Sequence, residues 1–170
     1  MEPGRSFRLQ INDGGERGPR LVVGAGDWAM TGLMDDAALD GRLARAAEDG
    51  CEFYEGHWDD PDQAAEAADL ARAHKIRLLY QAWVREIGQL DDQLEAAAAS
   101  DALAVNCHVF DAHLDEMRAA ELVESVNARC EAANLPLLVE THRGCVTQDL
   151  VRTLRFADRC TCRLNLDFSH

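Results

Sequence analysis

Lysine is almost missing from this sequence, because Lys75 is the only one and arginine supplies nearly all the basic charge. The 17 basic residues are outnumbered by 31 acidic ones, which leaves a formal charge of −14 on the 170-residue chain. A protein that binds the phosphate backbone of a nucleic acid needs a basic surface that displaces counterions. The charge balance therefore argues against a nucleic acid as partner.

Long hydrophobic runs are also missing. No segment approaches the ~18 uninterrupted apolar residues of a membrane-spanning helix, which argues against a membrane partner. Met1 to Arg20 lacks the apolar region of a secretory signal, so we expect a cytoplasmic location. In that reducing compartment the six cysteines are expected to be free thiols rather than a disulfide framework.

Two segments differ in composition. Residues 1–19 are polar and rich in glycine, and we expect a flexible leader there. Residues 20–170 have the length of one typical domain, and the chain is 47% apolar, which is enough to bury a core. We therefore expect one folded domain after the leader.

Short apolar runs alternate with helical stretches along this domain. The runs that we interpret as buried strands are Leu21–Val23, Cys51–Tyr54, Arg77–Ala82, Leu103–Cys107, Leu137–Val139 and Arg163–Leu166. Between them the apolar residues have helical spacing, and Asp60 followed by Pro61 is typical of a helix start. Strands that alternate with helices predict an α/β fold with a parallel sheet.

Two α/β architectures share this alternation, an open doubly wound sheet and a (β/α)8 TIM barrel. The predicted strands number six, a complete barrel has eight, and the chain ends directly after the sixth strand. We therefore expect residues 20–170 to form a partial TIM barrel with about six of its eight units.

A dinucleotide site is the alternative that the glycines raise. Gly24–Ala29 fits the pattern G-x-G-x-x-A after a strand, but in such a site the helix begins at once, so that its amides meet the pyrophosphate. Thr31 and Gly32 interrupt the helical pattern, which we expect to begin only near Asp35. The segment is therefore interpreted as a glycine-rich loop of a barrel.

Polar residues follow the last three predicted strands. Asn106 and His108 end the fourth, Glu140 ends the fifth and Asp167 ends the sixth. The carboxyl ends of parallel strands share one edge of the sheet, where two carboxylates and a histidine can hold Mn²⁺, Mg²⁺, Co²⁺ or Zn²⁺. A glutamate after an apolar strand also often marks only the solvated edge, and this alternative stays open. Glu55, after the second strand, could help to shape a pocket, but a loop contact is the simpler interpretation.

The sequence resembles the xylose isomerase-like TIM-barrel superfamily in three places. These are Val-Glu-Thr-His-Arg-Gly at 139–144, Leu-Asp-Phe-Ser-His at 166–170 and Asn106-x-His108. That superfamily holds sugar-phosphate isomerases and epimerases, hydroxypyruvate isomerase, inosose dehydratase and apurinic-site endonucleases. The resemblance implies a metal-dependent isomerase or epimerase that acts through an enediolate on a sugar or another small hydroxy-carbonyl compound.

The resemblance also implies roles for individual residues. Glu140 would be a metal ligand and a catalytic acid/base carboxylate, and Asp167 would be a second metal ligand. His170 would bind the substrate or, in the endonuclease branch, a metal.

Three further residues are expected at the substrate. His108 would lie in the pocket, although a hydrogen-bonded core histidine is the alternative. Arg143 would bind a hydroxyl, a carboxylate or a phosphate, unless it forms a salt bridge to a neighbouring loop. His142 is a similar candidate.

Two alternatives remain for the function. In the superfamily a histidine and a glutamate from strands seven and eight complete the metal shell, and the six predicted strands do not include these, so we expect the chain alone to be a poor catalyst. It could instead be a non-catalytic remnant or an assembly module that forms homo-oligomers through its strand edges. A metal hydrolase similar to apurinic-site endonucleases is less favoured, because the third strand offers no histidine and the charge opposes DNA.

Overall fold

The strand order identifies the architecture. The computed structural model describes residues 22–34, 37–160 and 162–167, and it places six strands in one parallel sheet in the order β1-β2-β3-β4-β5-β6. A doubly wound sheet reverses its strand order at a switch point, whereas a barrel adds its strands in chain order. The fold is therefore α/β, with about six of the eight units of a TIM barrel, as predicted.

Each strand is followed by a helix, up to the sixth. The strands are β1 (Gly24–Gly26), β2 (Phe53–Gly56), β3 (Arg77–Val84), β4 (Val105–Val109), β5 (Leu137–Glu140) and β6 (Arg163–Asn165). The helices are α1 (Asp27–Leu33), α2 (Leu39–Glu48), α3 (Pro61–Ala73), α4 (Leu90–Ala99), α5 (Glu116–Ala132) and α6 (Leu150–Ala157), and a single 3-10 turn, Ile87–Gln89, precedes α4.

The first unit differs from the prediction. β1 is formed by Gly24–Gly26, just after the predicted run Leu21–Val23, of which Leu21 lies outside the described residues, and α1 begins at once at Asp27. Thr31 does not interrupt this helix, because its hydroxyl donates to the carbonyl oxygen of Asp27 inside the helix at 2.8 Å. The expectation that the helix begins near Asp35 was therefore wrong, and it is the sheet order that argues against a dinucleotide fold. The predicted leader and His170 lie outside the described residues.

Aspartates fix the start of three helices. Asp60 accepts a hydrogen bond from the backbone nitrogen of Gln63 at 2.9 Å, with Pro61 in the first turn as predicted. Asp115 and Asp149 cap α5 and α6 in the same way. These carboxylates satisfy backbone N–H groups that have no partner within the helix, and they interact favourably with its dipole.

The alternation along β4 separates the core from the site. Successive strand residues point to opposite faces of a sheet. Val105, Cys107 and Val109 belong to the apolar core with the surrounding helices, whereas Asn106 and His108 point to the other face. All five residues are buried, so both polar side chains need partners within the protein.

Two predictions based on composition can be compared with the structure. All six cysteines are free thiols. Within the described ranges, no helix is long and apolar enough to cross a membrane.

Candidate active site

Glu140 lies at the centre of the site. It is the last residue of β5, as predicted, and only 8% of it is exposed. Its carbonyl oxygen accepts a hydrogen bond from Oγ1 of Thr147 at 2.5 Å, and the same hydroxyl accepts from the backbone nitrogen of His142 at 3.3 Å. The loop after β5 therefore folds back and fixes the strand end that carries the carboxylate.

The carboxylate of Glu140 is held on both of its oxygens. Oε1 lies 3.0 Å from Nε2 of His108. Oε2 accepts a hydrogen bond from Nδ2 of Asn106 and a longer one, 3.4 Å, from Nδ2 of Asn165. Side chains from β4 and β6 thus converge on a residue of β5, which lies between them in the sheet.

His108 provides a buried nitrogen next to this carboxylate. The residue is 6% exposed, and although Nε2 is close to Glu140, it has no aligned hydrogen-bond partner among the described residues. The ring of His142 stacks on His108 with the centroids 4.5 Å apart. One ligand atom from each of His108, Glu140 and His142 lies within 4.8 Å of the others.

His142 is oriented by the residue that follows it. Its Nδ1 lies 2.6 Å from the carbonyl oxygen of Arg143, a distance that suits an Nδ1–H donor. A hydrogen bond from one ring nitrogen to a carbonyl oxygen fixes the orientation of the imidazole, as is usual for metal-binding histidines. The guanidinium of Arg143 belongs to an exposed residue of the loop.

The environment shifts the pKa values of two glutamates in opposite directions. Burial alone would raise the pKa of Glu140, but the contacts from His108 and Asn106 outweigh it, and the net shift is downward. Burial raises the pKa of Glu55, and the negative charge of Glu140 adds to this, while the hydrogen bond from Asn106 opposes it only in part. Two neighbouring carboxyl groups with opposite shifts are typical of acid/base sites.

An open cleft of about 300 Å³ gives access to the site. Its lining includes residues from the ends of β1, β2, β3, β5 and β6, among them Trp28, Glu55, Gln81, Glu140 and Asp167. Carboxylates and amides dominate its polar surface, which suits a small ligand with several hydroxyl groups.

The structure brings together only part of the predicted site. Glu140, His108 and His142 form one cluster. Asp167 lines the cleft with Glu140, two residues after the end of β6, but it is not part of that cluster. His170 lies outside the described residues, and the roles of all these residues remain predictions.

Asn165 was not predicted as a site residue. Asn106 was noted at the end of the fourth strand without a role, and for Glu55 a loop contact was the simpler interpretation than a place in the pocket. Nδ2 of Asn106 also donates to Oε1 of Glu55 at 2.6 Å, and its Oδ1 accepts from Asn165 at 3.2 Å. A signal was present, since Glu55 lies at the end of an apolar strand as Glu140 does. β2 continues to Gly56, so that Glu55 lies within the strand and lines the cleft instead of belonging to a loop.

The donor atoms at Glu140 fit a divalent cation. The buried Nε2 of His108 has no aligned partner, and it lies beside a carboxylate and a second imidazole. Imidazole and carboxylate together suit Mn²⁺, Co²⁺ or Zn²⁺ better than Mg²⁺, which prefers oxygen ligands.

Solved structures share this fold, although a scan against protein-family models gives no match and no curated protein matches the sequence. The probable 3-DHS dehydratase AsbF involved in petrobactin synthesis from Bacillus anthracis has a TM-score of 0.69 and 13% identity, over 87% of this chain and 63% of that one. The D-allulose 3-epimerase from Methylomonas sp. has a TM-score of 0.65 and 15% identity, over 87% and 63%. An AP endonuclease, family 2, from Brucella melitensis has a TM-score of 0.63 and 15% identity, over 86% and 68%.

The fold is that of a TIM barrel. The resemblance that the sequence indicated is thus confirmed at the level of the fold. The chain spans 63% of the length of the dehydratase and of the allulose epimerase.

Proposed function

We propose that this site transfers protons on a small hydroxy-carbonyl compound with the help of a divalent cation, as a sugar isomerase or epimerase does. The observation that carries the proposal is the buried carboxylate of Glu140. It lies between the amide of Asn106 and Nε2 of His108, a buried nitrogen that has no aligned hydrogen-bond partner among the described residues. Similar structures named D-allulose 3-epimerase and L-ribulose 3-epimerase support a sugar as the substrate class.

Glu140, His108 and His142 would hold the cation, because their ligand atoms already lie together. Asp167 is our predicted further ligand, since it lines the same cleft. A divalent cation supplies Lewis-acid polarisation of a carbonyl group and thereby makes the neighbouring C–H bond more acidic.

Glu140 would remove and return the proton on carbon. The lowered pKa keeps its carboxyl group ionised near neutral pH, which a base requires. Asn106 and Asn165 fix the orientation of Oε2, so little rotational freedom is lost when a substrate binds. The amide of Gln81, which lines the cleft, is placed to bind substrate hydroxyls.

Two measurements on the 170-residue chain test this proposal. The first is Mn²⁺ affinity by calorimetry. The second is the incorporation of deuterium from D₂O into D-allulose, L-ribulose or D-fructose in the presence of Mn²⁺, followed by NMR. We expect Glu140→Gln to weaken Mn²⁺ binding at least about 10-fold and to slow deuterium incorporation by about 100-fold or more.

Glu95→Gln is the matched control, because it removes the same charge from an exposed position on α4. It should leave both measurements unchanged. Failure of the wild-type chain to incorporate deuterium, or Mn²⁺ affinity that does not depend on Glu140, would contradict the proposed function.

A further inference from the structure

Glu55 is a second, partly buried carboxylate that the proposed function does not yet use. It lies on β2 and lines the same cleft as Glu140. Its Oε1 accepts the hydrogen bond from Nδ2 of Asn106 at 2.6 Å. Within the part of the chain that the structure describes, its Oε2 has no hydrogen-bond partner.

Asn106 joins the two carboxylates. Its side chain is fully buried, and its amide nitrogen carries two protons, of which one is donated to Glu55 and one to Glu140. Both neighbours of this nitrogen are acceptors, so only this orientation of the amide is stable. The opposite atom, Oδ1, accepts from Asn165 at 3.2 Å, which holds the amide in place.

This bridge puts both carboxylates on one wall of the cleft. Their bonded oxygens are separated by no more than the span of two hydrogen bonds to one nitrogen. Inversion at a carbon requires that a proton leaves one face and arrives on the other. Isomerisation moves a proton between neighbouring carbons and another between their oxygens, and two groups on one side can do both.

We propose that Glu55 is a catalytic residue that moves the oxygen-bound proton while Glu140 moves the carbon-bound one. This inference rests on the proposed function and makes it specific, because it assigns the chain's own carboxylates to isomerisation of a 2-hydroxy carbonyl compound rather than to epimerisation.

The step balances with these two groups alone. Glu140 takes the proton from the hydroxyl-bearing carbon, the C–H electron pair forms the carbon–carbon double bond, and the carbonyl oxygen takes a proton from the Glu55 carboxyl group. Glu55 then removes the proton of the other oxygen, whose electron pair forms the new carbonyl. Glu140 returns its proton to the neighbouring carbon, and both residues are restored.

The surroundings of Glu55 suit this role. Burial raises its pKa, and the negative charges of Glu140 and Asp167 act in the same direction. The carboxyl group therefore holds its proton more firmly than an exposed glutamate does, as a proton donor to oxygen must.

Glu55→Gln tests the assignment, with L-ribulose and Mn²⁺ as probes for the 170-residue chain in D₂O. Glutamine can still accept from Asn106 but cannot carry a proton between oxygens. We expect aldose formation to fall by about 100-fold, while deuterium incorporation falls by less than about 3-fold. Mn²⁺ affinity should stay at the wild-type value, and the thermal midpoint should not fall below that of the wild type.

Glu52→Gln is the matched control, because it removes the same charge just before β2, where Glu52 pairs with Arg77 at 4.0 Å away from the cleft. It should change none of these readouts. Equal aldose formation by Glu55→Gln and wild type would overturn the role of Glu55. So would a parallel loss of Mn²⁺ affinity, because Glu55 would then act only by positioning Glu140.

The outcome for the wild-type chain separates this inference from the proposed function. Deuterium incorporation that yields only an epimer, without aldose, would overturn the inference and leave the proposed function standing. Absence of deuterium incorporation would overturn both.

Discussion

The middle and the outer strands of this sheet are built differently. β4 pairs on both sides and is buried along its whole length. β1 and β6 have three residues each, pair on one side only within the described residues, and are partly exposed. Large apolar side chains near these two strands are also exposed, among them Trp28 and Leu166.

The strands that carry Glu140 and His108 are not the strands at the edges of the sheet. Glu140 lies on β5 and His108 on β4, and each of these strands pairs with a neighbouring strand on both sides. Among the described residues, each outer strand lacks a strand on one side and has exposed apolar side chains nearby, as sheet edges do. Association of copies through these edges stays a prediction.

A pair of leucine substitutions tests the comparison with the largest expected effect. Leu137 on β5 is 2% exposed, whereas Leu166 beside β6 is 57% exposed. Leu137→Ala should lower the free energy of unfolding by about 2–5 kcal/mol, because it leaves a cavity. Leu166→Ala should change it by less than about 0.5 kcal/mol. Urea unfolding measures both, and similar losses would show that the edge is as tightly packed as the middle.

Hydrogen bonds attach α1, which follows the outer strand β1, to Tyr54 of β2. Removing one of them should cost less stability than the substitution of Leu137. The hydroxyl of Tyr54 donates to Asp27 at 2.5 Å, and Arg42 donates to the same carboxylate at 3.1 Å. Tyr54→Phe should cost about 1.5–3 kcal/mol, because the lost bond is to a charged group. Tyr80→Phe is the comparison, since that hydroxyl donates to the neutral carbonyl of Trp58 and should cost about 0.5–1.5 kcal/mol. Equal costs would show that the charge adds nothing.

The smallest expected effect is that the contribution of Glu55 to the free energy of unfolding depends on pH. Folding raises the pKa of Glu55 above the ordinary value of 4.5, so the folded chain binds this proton more tightly than the unfolded chain. That contribution to stability is present below the unfolded pKa and is lost as pH rises through the folded pKa. Glu55→Gln should therefore stabilise the protein relative to wild type at pH 7.5 but not at pH 4. Urea unfolding at both pH values checks this, and a benefit confined to pH 4 would reverse the sign.

Local sequence patterns predicted those strands and helix starts that a single pattern, such as a short apolar run or an Asp-Pro pair, is enough to identify. Five of the strands were placed in the right segments, because short apolar runs bounded by helical stretches have few other interpretations. The start of α3 followed from Asp60 and Pro61, whose capping geometry is local. β1 was misplaced because Gly24–Gly26 carries no apolar signal and is held by pairing with β2.

The candidate site was only partly predictable. Glu140 was found because it directly follows an apolar run. Glu55 was not assigned a role in the site, because its partner, Asn106, lies 51 positions along the chain and no local pattern indicates that contact.

The sequence by itself determined the alternation of strands and helices, the acidic charge and the polar residues at the strand ends, because each depends on neighbours in the chain. Only the tertiary structure decided which of those residues meet. The order of the strands brings residues of β1, β2, β3, β5 and β6 to one cleft, and beside it the buried Asn106 of β4 has to find hydrogen-bond partners on β2 and β5. The amide of Asn106 between two carboxylates is the result, and it exists only in the folded sheet.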